Sequence, residues 1–417
     1  MTQTGLPQEF ITYTSELFGP TRWQRFLQAF EQTPAVSVRL NPWKIPPAAL
    51  FPKATPVPWC RQAYWLDERP NFTLDPLFHA GVYYVQEAGS LFLDHVLRSL
   101  ISAPVLALDL CAAPGGKSTL MRAALPQGSM LLSNEPDRRR ANILLENMLK
   151  QGHPDVLVTH NHAQDFAKTD WTFDVILTDV PCSGEGLFRR DENTTAQWSL
   201  QNVHFCQQRQ RQILTDIWPC LRPGGLLIYS TCTFNTHENE ENVRFIAQQL
   251  GAELLEIPVE PSWQITGSLL GGWSAPVYRF IPGITRSEGL FMAVLRKKGT
   301  PPAHTLLPAA ARRHAQTRPL IHLLSDGTAA AQQKGKELIP SAAQALSLTA
   351  ACSAYPRAEL TLEQARRYLH RESFALPAGT PKGFVLVTYA QQPLGFMKNL
   401  GDRANNLYPK NWAIRKL

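Results

Sequence analysis

The stretch Val105 to Ser118, V-L-A-L-D-L-C-A-A-P-G-G-K-S, constrains the fold more than any other. Val105, Leu106, Ala107 and Leu108 form a short apolar run of the kind a strand covered on both faces requires, and it stops at Asp109, Pro114, Gly115 and Gly116. Paired glycines ahead of a helical segment, Lys117 to Ala124, let the backbone turn sharply and approach a ligand closely, with free N–H groups at the helix start. The pattern is neither G-x-x-x-x-G-K-[ST] nor an intact G-x-G-x-x-G, so a triphosphate loop is excluded and a dinucleotide loop is poorly matched. An adenosine-bearing ligand without a triphosphate suits it better.

Beyond that loop, short apolar runs and helical segments alternate. Strands are predicted at Met130 to Leu132, Val156 to Val158, Val175 to Leu177 (ending at Asp179) and Leu226 to Tyr229. Asp137 is placed to cap a helix over Arg138 to Lys150, and Gln207 to Leu221 reads as a helix closed by Arg222-Pro223-Gly224-Gly225. Such alternation specifies a doubly wound α/β sheet, whose ligands sit at the carboxyl ends of the strands. Before it, Gly81 to Leu100 is read as a helix; after it, a helix begins at Asn235, and Val277 to Phe280 pairs with Leu290 to Leu295.

The flanks differ from this centre. Glu9 to Phe30 has helical spacing broken at Gly19-Pro20, and Ser37 to Pro42 alternates like a half-buried strand. A proline-rich stretch runs on to Pro76; its Trp59, Tyr64 and Trp65 suit a core better than a base-stacking platform, and Arg39 is a weak candidate for a phosphate contact. Proline, alanine and basic residues from Lys297 to Pro319 mark a linker or crossing, followed by a helix over Leu362 to His370. Gly383 to Tyr389 and Leu394 to Lys398 then read as a hairpin around Gln391-Gln392. The expected division is an accessory module over 1–76, a catalytic domain over 77–298, a linker or crossing over 299–335 and a small domain over 336–417.

Charge separates the same parts. Residues 296–417 hold 18 Lys and Arg against 6 Asp and Glu, whereas the preceding residues hold 23 against 28. A basic tail on a slightly acidic body suggests a polyanion partner, most simply nucleic acid, against the alternative of a solubilising surface. Seven scattered cysteines without C-x-x-C pairs argue against a disulfide framework and a zinc cluster, so no metal is expected and a reducing cytoplasm is. The N-terminal residues carry no basic and apolar leader pattern, and no apolar run reaches membrane-spanning length, so no membrane association is expected.

Polar residues fall at the predicted strand ends. Glu135 follows the second strand, where a carboxylate can accept both ribose hydroxyls of an adenosine. Asp179 to Gly186 (D-V-P-C-S-G-E-G) follows the fourth, and Ser230 to Phe234 (S-T-C-T-F) the fifth. Either cysteine alone is more simply a small buried hydrophobe. Two on adjacent strand ends beside an adenosine pocket suit covalent catalysis at a pyrimidine. Carbon 5 of cytosine is a poor nucleophile until a thiolate adds to carbon 6, whereupon it can attack a methyl sulfonium, and a nearby carboxylate can stabilise the adduct.

C-A-A-P-G-G-K (Cys111 to Lys117), D-V-P-C-S-G-E-G and S-T-C-T together resemble the signature of the Sun-type RNA cytosine-5 methyltransferases, and within them the bacterial RsmF-like enzymes acting on small-subunit ribosomal RNA. The likeness extends to Ser37 to Pro42, Tyr84 to Ala88, Ser287 to Phe291 and Gly395 to Trp412, so it covers nearly the whole chain. It implies a Rossmann-like sheet that uses S-adenosyl-L-methionine, with an N-terminal α+β module and a C-terminal PUA-like RNA-binding domain. By position, Cys232 matches the nucleophile, Cys182 the cysteine that assists release of the adduct, and Asp179 a residue between cofactor and target base. Cys111, Ala112, Ala113, Pro114, Gly115, Gly116 and Lys117 match the cofactor loop, to which Glu135 adds the ribose ligand and Asp179 a further contact. DNA cytosine methyltransferases use the equivalent of Cys182 as nucleophile; the additional T-C motif points to RNA. The aspartate usual after the third strand falls on His162 here, with Asp165 as the alternative adenine contact. The implied partner is ribosomal RNA, exposed in a small-subunit particle because the target base must leave its stack. Transfer RNA is the alternative substrate. A nicotinamide dehydrogenase would give no reason for the two cysteine motifs, and a non-catalytic RNA-binding assembly factor would not need them.

Overall fold

In the computed structural model of the chain, residues 5–44, 50–301, 308–317, 320–335, 337–349 and 352–416 are described. Ahead of the central sheet lie the helical segment Gln8–Phe30 and an antiparallel sheet of β1 (Val36–Leu40), β2 (Thr55–Pro56), β3 (Ala63–Leu66) and β4 (Tyr83–Val85), in the order β2-β3-β1-β4. Gly19, at φ 70° and ψ 166°, breaks the helix at the expected Gly-Pro.

The central sheet contains β5 (Leu106–Asp109), β6 (Met130–Asn134), β7 (Val156–Thr159), β8 (Phe173–Asp179) and β9 (Leu221–Thr231), all parallel. The strands β10 (Ala252–Leu254), β11 (Val277–Phe280) and β12 (Leu290–Lys297) extend it antiparallel at one side, and β13 (Leu323–Ser325) at the other. The order is β10-β12-β9-β8-β5-β6-β7-β13, with β11 on β12. Alternate residues feed two cores. Ala107, Leu131, Val175 and Ile228 pack with the helix Phe92–Leu100 on one face, while Leu106, Leu132, Ile176 and Leu227 pack with Leu214, Ile217 and Ile246 on the other. Burial on both faces explains why these strands are apolar runs.

A hairpin, β14 (Gln332–Lys334) and β15 (Glu337–Ile339), leads to a last sheet of β16 (Arg357–Glu359), β17 (Gly383–Tyr389), β18 (Gln392–Asn399) and β19 (Ala404–Asn406). The β17–β18 turn consists of Ala390 and Gln391, both at positive φ, one residue earlier than expected.

Several expectations give way to tertiary contacts. Gly81 to Leu100 is not one helix, because Tyr83–Val85 hydrogen-bonds to β1 and the helix starts only at Phe92. The helix predicted over Gln207 to Leu221 is Leu200–Ile217, and Arg222-Pro223-Gly224-Gly225 lies within β9 as a bulge, where Phe173 pairs with Leu221 but Val175 with Leu226. The helix expected from Asn235 starts at Glu240, residues 236–239 forming a turn ahead of it. β1 is buried on both faces rather than half-buried. Its Arg39 is 4% exposed and donates to Gln86 Oε1 (3.1 Å) and Thr119 Oγ1 (2.7 Å), which removes it as a phosphate contact. Part of the expected linker, 302–307 with 318 and 319, lies outside the described residues, as does 336 at the start of the expected small domain. The rest is not a loose crossing: the helix Pro308–Thr317 buries Ala311 and Ala315 in the sheet core, and β13 joins β7.

Candidate active site

The chain lays β5, β6 and β7 side by side, then crosses back to place β8 on the other flank of β5. That reversal opens a crevice at the carboxyl ends of β5 and β8. Asp109 ends β5, Asp179 ends β8, and the β8–β9 register sets Asp179 opposite Ser230, two residues before Cys232.

The loop from Cys111 to Lys117 is pinned from several sides. Ala112 N donates to Asn134 O (2.8 Å) and Ala113 N to Glu135 Oε2 (3.2 Å), while Ala113 O accepts from Arg140 Nη2 (2.8 Å) and Pro114 O from Asn147 Nδ2 (2.7 Å). Gly115 takes φ +114° as the helix Gly116–Ala124 begins, and a Cβ there would stand 3.3 Å from Leu144 and Asn147; one on Gly116 would stand 3.2 Å from the Tyr84 ring. The glycines thus leave room for the side chains of Leu144, Asn147 and Tyr84. Cys111, Ala112 and Ala113 are buried, and burial pushes the Cys111 thiol up, so its side chain belongs to the core and the loop presents backbone.

Glu135 is buried at the end of β6, with Oε1 accepting from Asp137 N (3.1 Å) and Oε2 from Ala113 N. A carboxylate has about four lone-pair positions, so these two N–H groups orient it and leave acceptors for a diol. Lys117 Nζ donates to Asp179 Oδ2 (2.8 Å), and Asp179 Oδ1 accepts from Ser230 Oγ (2.7 Å). Burial opposes the Lys117 ammonium, but Asp179 outweighs it and the net shift is upward. Asp109 is fully buried; burial raises its carboxyl to about 7 against the opposing hydrogen bond from Ser118 Oγ (2.6 Å), and Asp179 and Glu135 add to the rise. Its Oδ1 has no hydrogen-bond partner.

The two cysteines meet. Cys182 Sγ and Cys232 Sγ are 3.1 Å apart, both partly exposed, and Gly186 N donates to Cys232 O (2.7 Å) across the two loops. The contact with Cys232, reinforced by burial, holds the Cys182 thiol well above its ordinary range.

His162 is exposed, and its backbone N donates to Asp165 Oδ2 (2.9 Å), so Asp165 caps the helix Ala163–Ala167. His237 pairs with Glu241 Oε1 (3.0 Å), and no group of three or more His, Cys, Asp or Glu among the described residues is arranged to hold a metal. The Lys117–Asp179–Ser230 chain was missed by sequence reasoning. Its signal, an aspartate ending one strand and a serine just before the T-C pair, acquires meaning only from strand register.

S-adenosyl-L-methionine fits this crevice on two observations. Lys117 pairs with Asp179 and Arg140 Nη1 stands 3.5 Å from Glu135 Oε1, which leaves Asp109 as the carboxyl without a cation of its own to meet a sulfonium, and its orphaned Oδ1 lies where β5 opens into the loop.

Residues 103–296 match the family described as 16S rRNA methyltransferase RsmB/F, residues 6–88 the N-terminal domain of 16S rRNA methyltransferase RsmF, and residues 355–414 the methyltransferase RsmF PUA domain. The chain is 28% identical to ribosomal RNA small subunit methyltransferase F of Salmonella agona and 29% identical to that of Shigella flexneri serotype 5b, in each case over 97% of this chain and 96% of the relative. Among solved structures it is similar to a methyltransferase homolog protein from Pyrococcus horikoshii, at 26% identity and TM-score 0.61, covering 71% of this chain and 96% of that one. NSun6 from the same organism, solved with SFG, aligns at 20% identity and TM-score 0.60 over 71% of this chain and 100% of its own, a likeness of fold.

Proposed function

The chain belongs to the RsmB/F family of 16S rRNA methyltransferases, and from that premise we propose that it methylates carbon 5 of a cytosine in small-subunit ribosomal RNA through a covalent adduct on Cys232. The observation that carries this reading is the pair of sulfurs 3.1 Å apart beside the Lys117–Asp179 ion pair, at the sheet's switch point.

Glu135 would hold the ribose of S-adenosyl-L-methionine, Asp109 and Asp179 would face its positive charge, and the Cys111 to Lys117 loop would line its binding cleft. When bound, that cofactor supplies an electrophilic methyl group. Cys232 adds to carbon 6 of a flipped cytosine, forming the S–C6 bond and moving the C5–C6 π electrons so that carbon 5 becomes nucleophilic. Asp179 and Lys117 lie beside this sulfur and can hydrogen-bond the ring as its charge changes. After methylation, water takes the carbon 5 proton, the C–H electron pair restores the C5–C6 double bond, and the S–C6 bond breaks to release Cys232 as a thiolate. Cys182, in contact with Cys232, assists that release. Exposed Arg403, Lys410, Arg415 and Lys416 in the C-terminal domain are available for phosphate contacts.

The test is methyl transfer from labelled cofactor to small ribosomal subunits, naked 16S rRNA and tRNA, with bisulfite sequencing of the products. A single 5-methylcytosine in 16S rRNA is expected. Equal methylation of tRNA and rRNA transcripts, or a product methylated elsewhere than carbon 5, would overturn the substrate or the chemistry respectively.

A further inference from the structure

Resting on that reading of the two cysteines, we infer that Glu185 and Glu238 are positioning residues: a reciprocal carboxylate clamp, each on one cysteine's loop and gripping the other's, that sets the distance between the sulfurs.

Glu185 lies three residues after Cys182 but serves the Cys232 loop. Its Oε2 accepts from the backbone N of Phe234 (2.6 Å) and Asn235 (3.0 Å), and its Oε1 from Asn235 Nδ2 (2.9 Å) and Trp198 Nε1 (3.0 Å). Glu238 lies six residues after Cys232 and serves the Cys182 loop. Its Oε2 accepts from Ser183 N (3.0 Å) and from Gln210 Nε2 (2.7 Å), which also donates to Pro181 O (2.9 Å), and its Oε1 accepts from Asn235 Nδ2 (2.9 Å). The Asn235 amide therefore bridges the two carboxylates.

This arrangement is a poor way to add stability. Glu185 is 2% and Glu238 0% exposed, and burial together with the Glu185 carboxylate raises the Glu238 carboxyl to about 7. Burying two like charges side by side is unfavourable, and apolar packing could join the same loops at lower cost. What carboxylates add is direction: each fixes several N–H donors at once in short, charge-assisted bonds. The backbone donors fixed are those of Ser183, next to Cys182, and of Phe234 and Asn235, just beyond Cys232. Mutual placement of nucleophile and releasing thiol is what the proposed chemistry needs, since modest displacement of reacting groups costs rate steeply.

The experiment compares full-length wild type with Glu185→Gln and Glu238→Gln, below the melting temperature of each. Two readouts are taken: kcat and KM on small subunits, and the rate at which diamide, accepting the two thiol hydrogens, closes a Cys182–Cys232 disulfide in the free protein. A clamp predicts kcat lower by on the order of tenfold with KM within about twofold, and cross-linking slower by about fivefold or more. Wild-type kcat and cross-linking in both folded variants would overturn it, because a merely stabilising role moves neither readout in folded protein. Should a variant fail to fold, hydrogen exchange in the wild type decides: the Ser183, Phe234 and Asn235 amides are expected to be protected by about a hundredfold or more, and exchange at free-peptide rates would overturn the clamp. Neither cross-linking nor exchange needs turnover. Methyl transfer retained by Cys232→Ala would therefore remove the catalytic reading separately from the clamp.

Discussion

Replacing Cys232 by alanine removes the sulfur proposed to add to carbon 6, so methyl transfer should fall to background while cofactor binding by calorimetry stays within about twofold. Cys182→Ala should instead let the adduct form and impair its release, leaving protein on RNA as a slow-migrating band; absence of any such band would argue against the release role. Asp109 offers a test in pH. Its folded carboxyl titrates at about 7, far above an unfolded aspartate, so the folded state holds an extra proton between those values and loses stability as pH rises through 7. Asp109→Asn keeps an acceptor for Ser118 and cannot ionise. Relative to wild type it should gain stability from pH 4 upward, by about 2–4 kcal/mol at pH 8 as an upper range, read from urea midpoints. An unchanged difference between pH 4 and 8 would contradict the assignment. At this scale the cysteines and the loop were legible because motif and chemistry coincide in a few adjacent residues. The Lys117–Asp179 pair was not, since its members lie 62 positions apart.

Elements bring such residues together through close contacts that leave little slack. A Cβ on Gly186 would stand 2.9 Å from Cys232 O and 3.0 Å from Gly289 O, with backbone on both sides. Gly186→Ala should therefore displace the Cys232 loop, lowering kcat by on the order of tenfold and stability by about 1–3 kcal/mol. Gly271→Ala, with open space around its Cβ, should change neither and serves as the control. Boundaries were the least legible feature here. The apolar spacing of Tyr83–Val85 fits either period, and the deciding partner, β1, lies some forty residues earlier. Arg222-Pro223-Gly224-Gly225 has every mark of a helix stop, yet the parallel edge of β8 holds it as a bulge.

The whole molecule is tied together by a core that crosses domain lines. Phe72, Leu77, Val82 and Tyr83 from the N-terminal part share one cluster with Tyr368, Leu369, Met397, Tyr408 and Trp412 from the C-terminal part, and Arg366 Nε donates to Leu74 O (3.0 Å). Fully burying each large apolar side chain is worth about 1.5–3 kcal/mol, so deleting 337–417 should do more than weaken RNA binding. The truncated protein is expected to melt well below the full chain and to aggregate; an unchanged melting temperature would show that the two parts are independent. Tyr368→Ala, which removes a fully buried ring, should cost about 3–5 kcal/mol by chemical denaturation.

What the sequence by itself determined is what local chemistry determines: which segments are apolar enough for two-sided burial, where a glycine must break a helix, which residues form the two cysteine motifs, and that the positive charge lies in the tail. The tertiary structure alone decided which strand ends meet. The β5–β8 crossover brings Lys117 to Asp179, the β8–β9 register brings Ser230 to Asp179, and the two loops bring one sulfur to the other. Strand order and register arise from the combined burial of many distant side chains, so no window of sequence contains them.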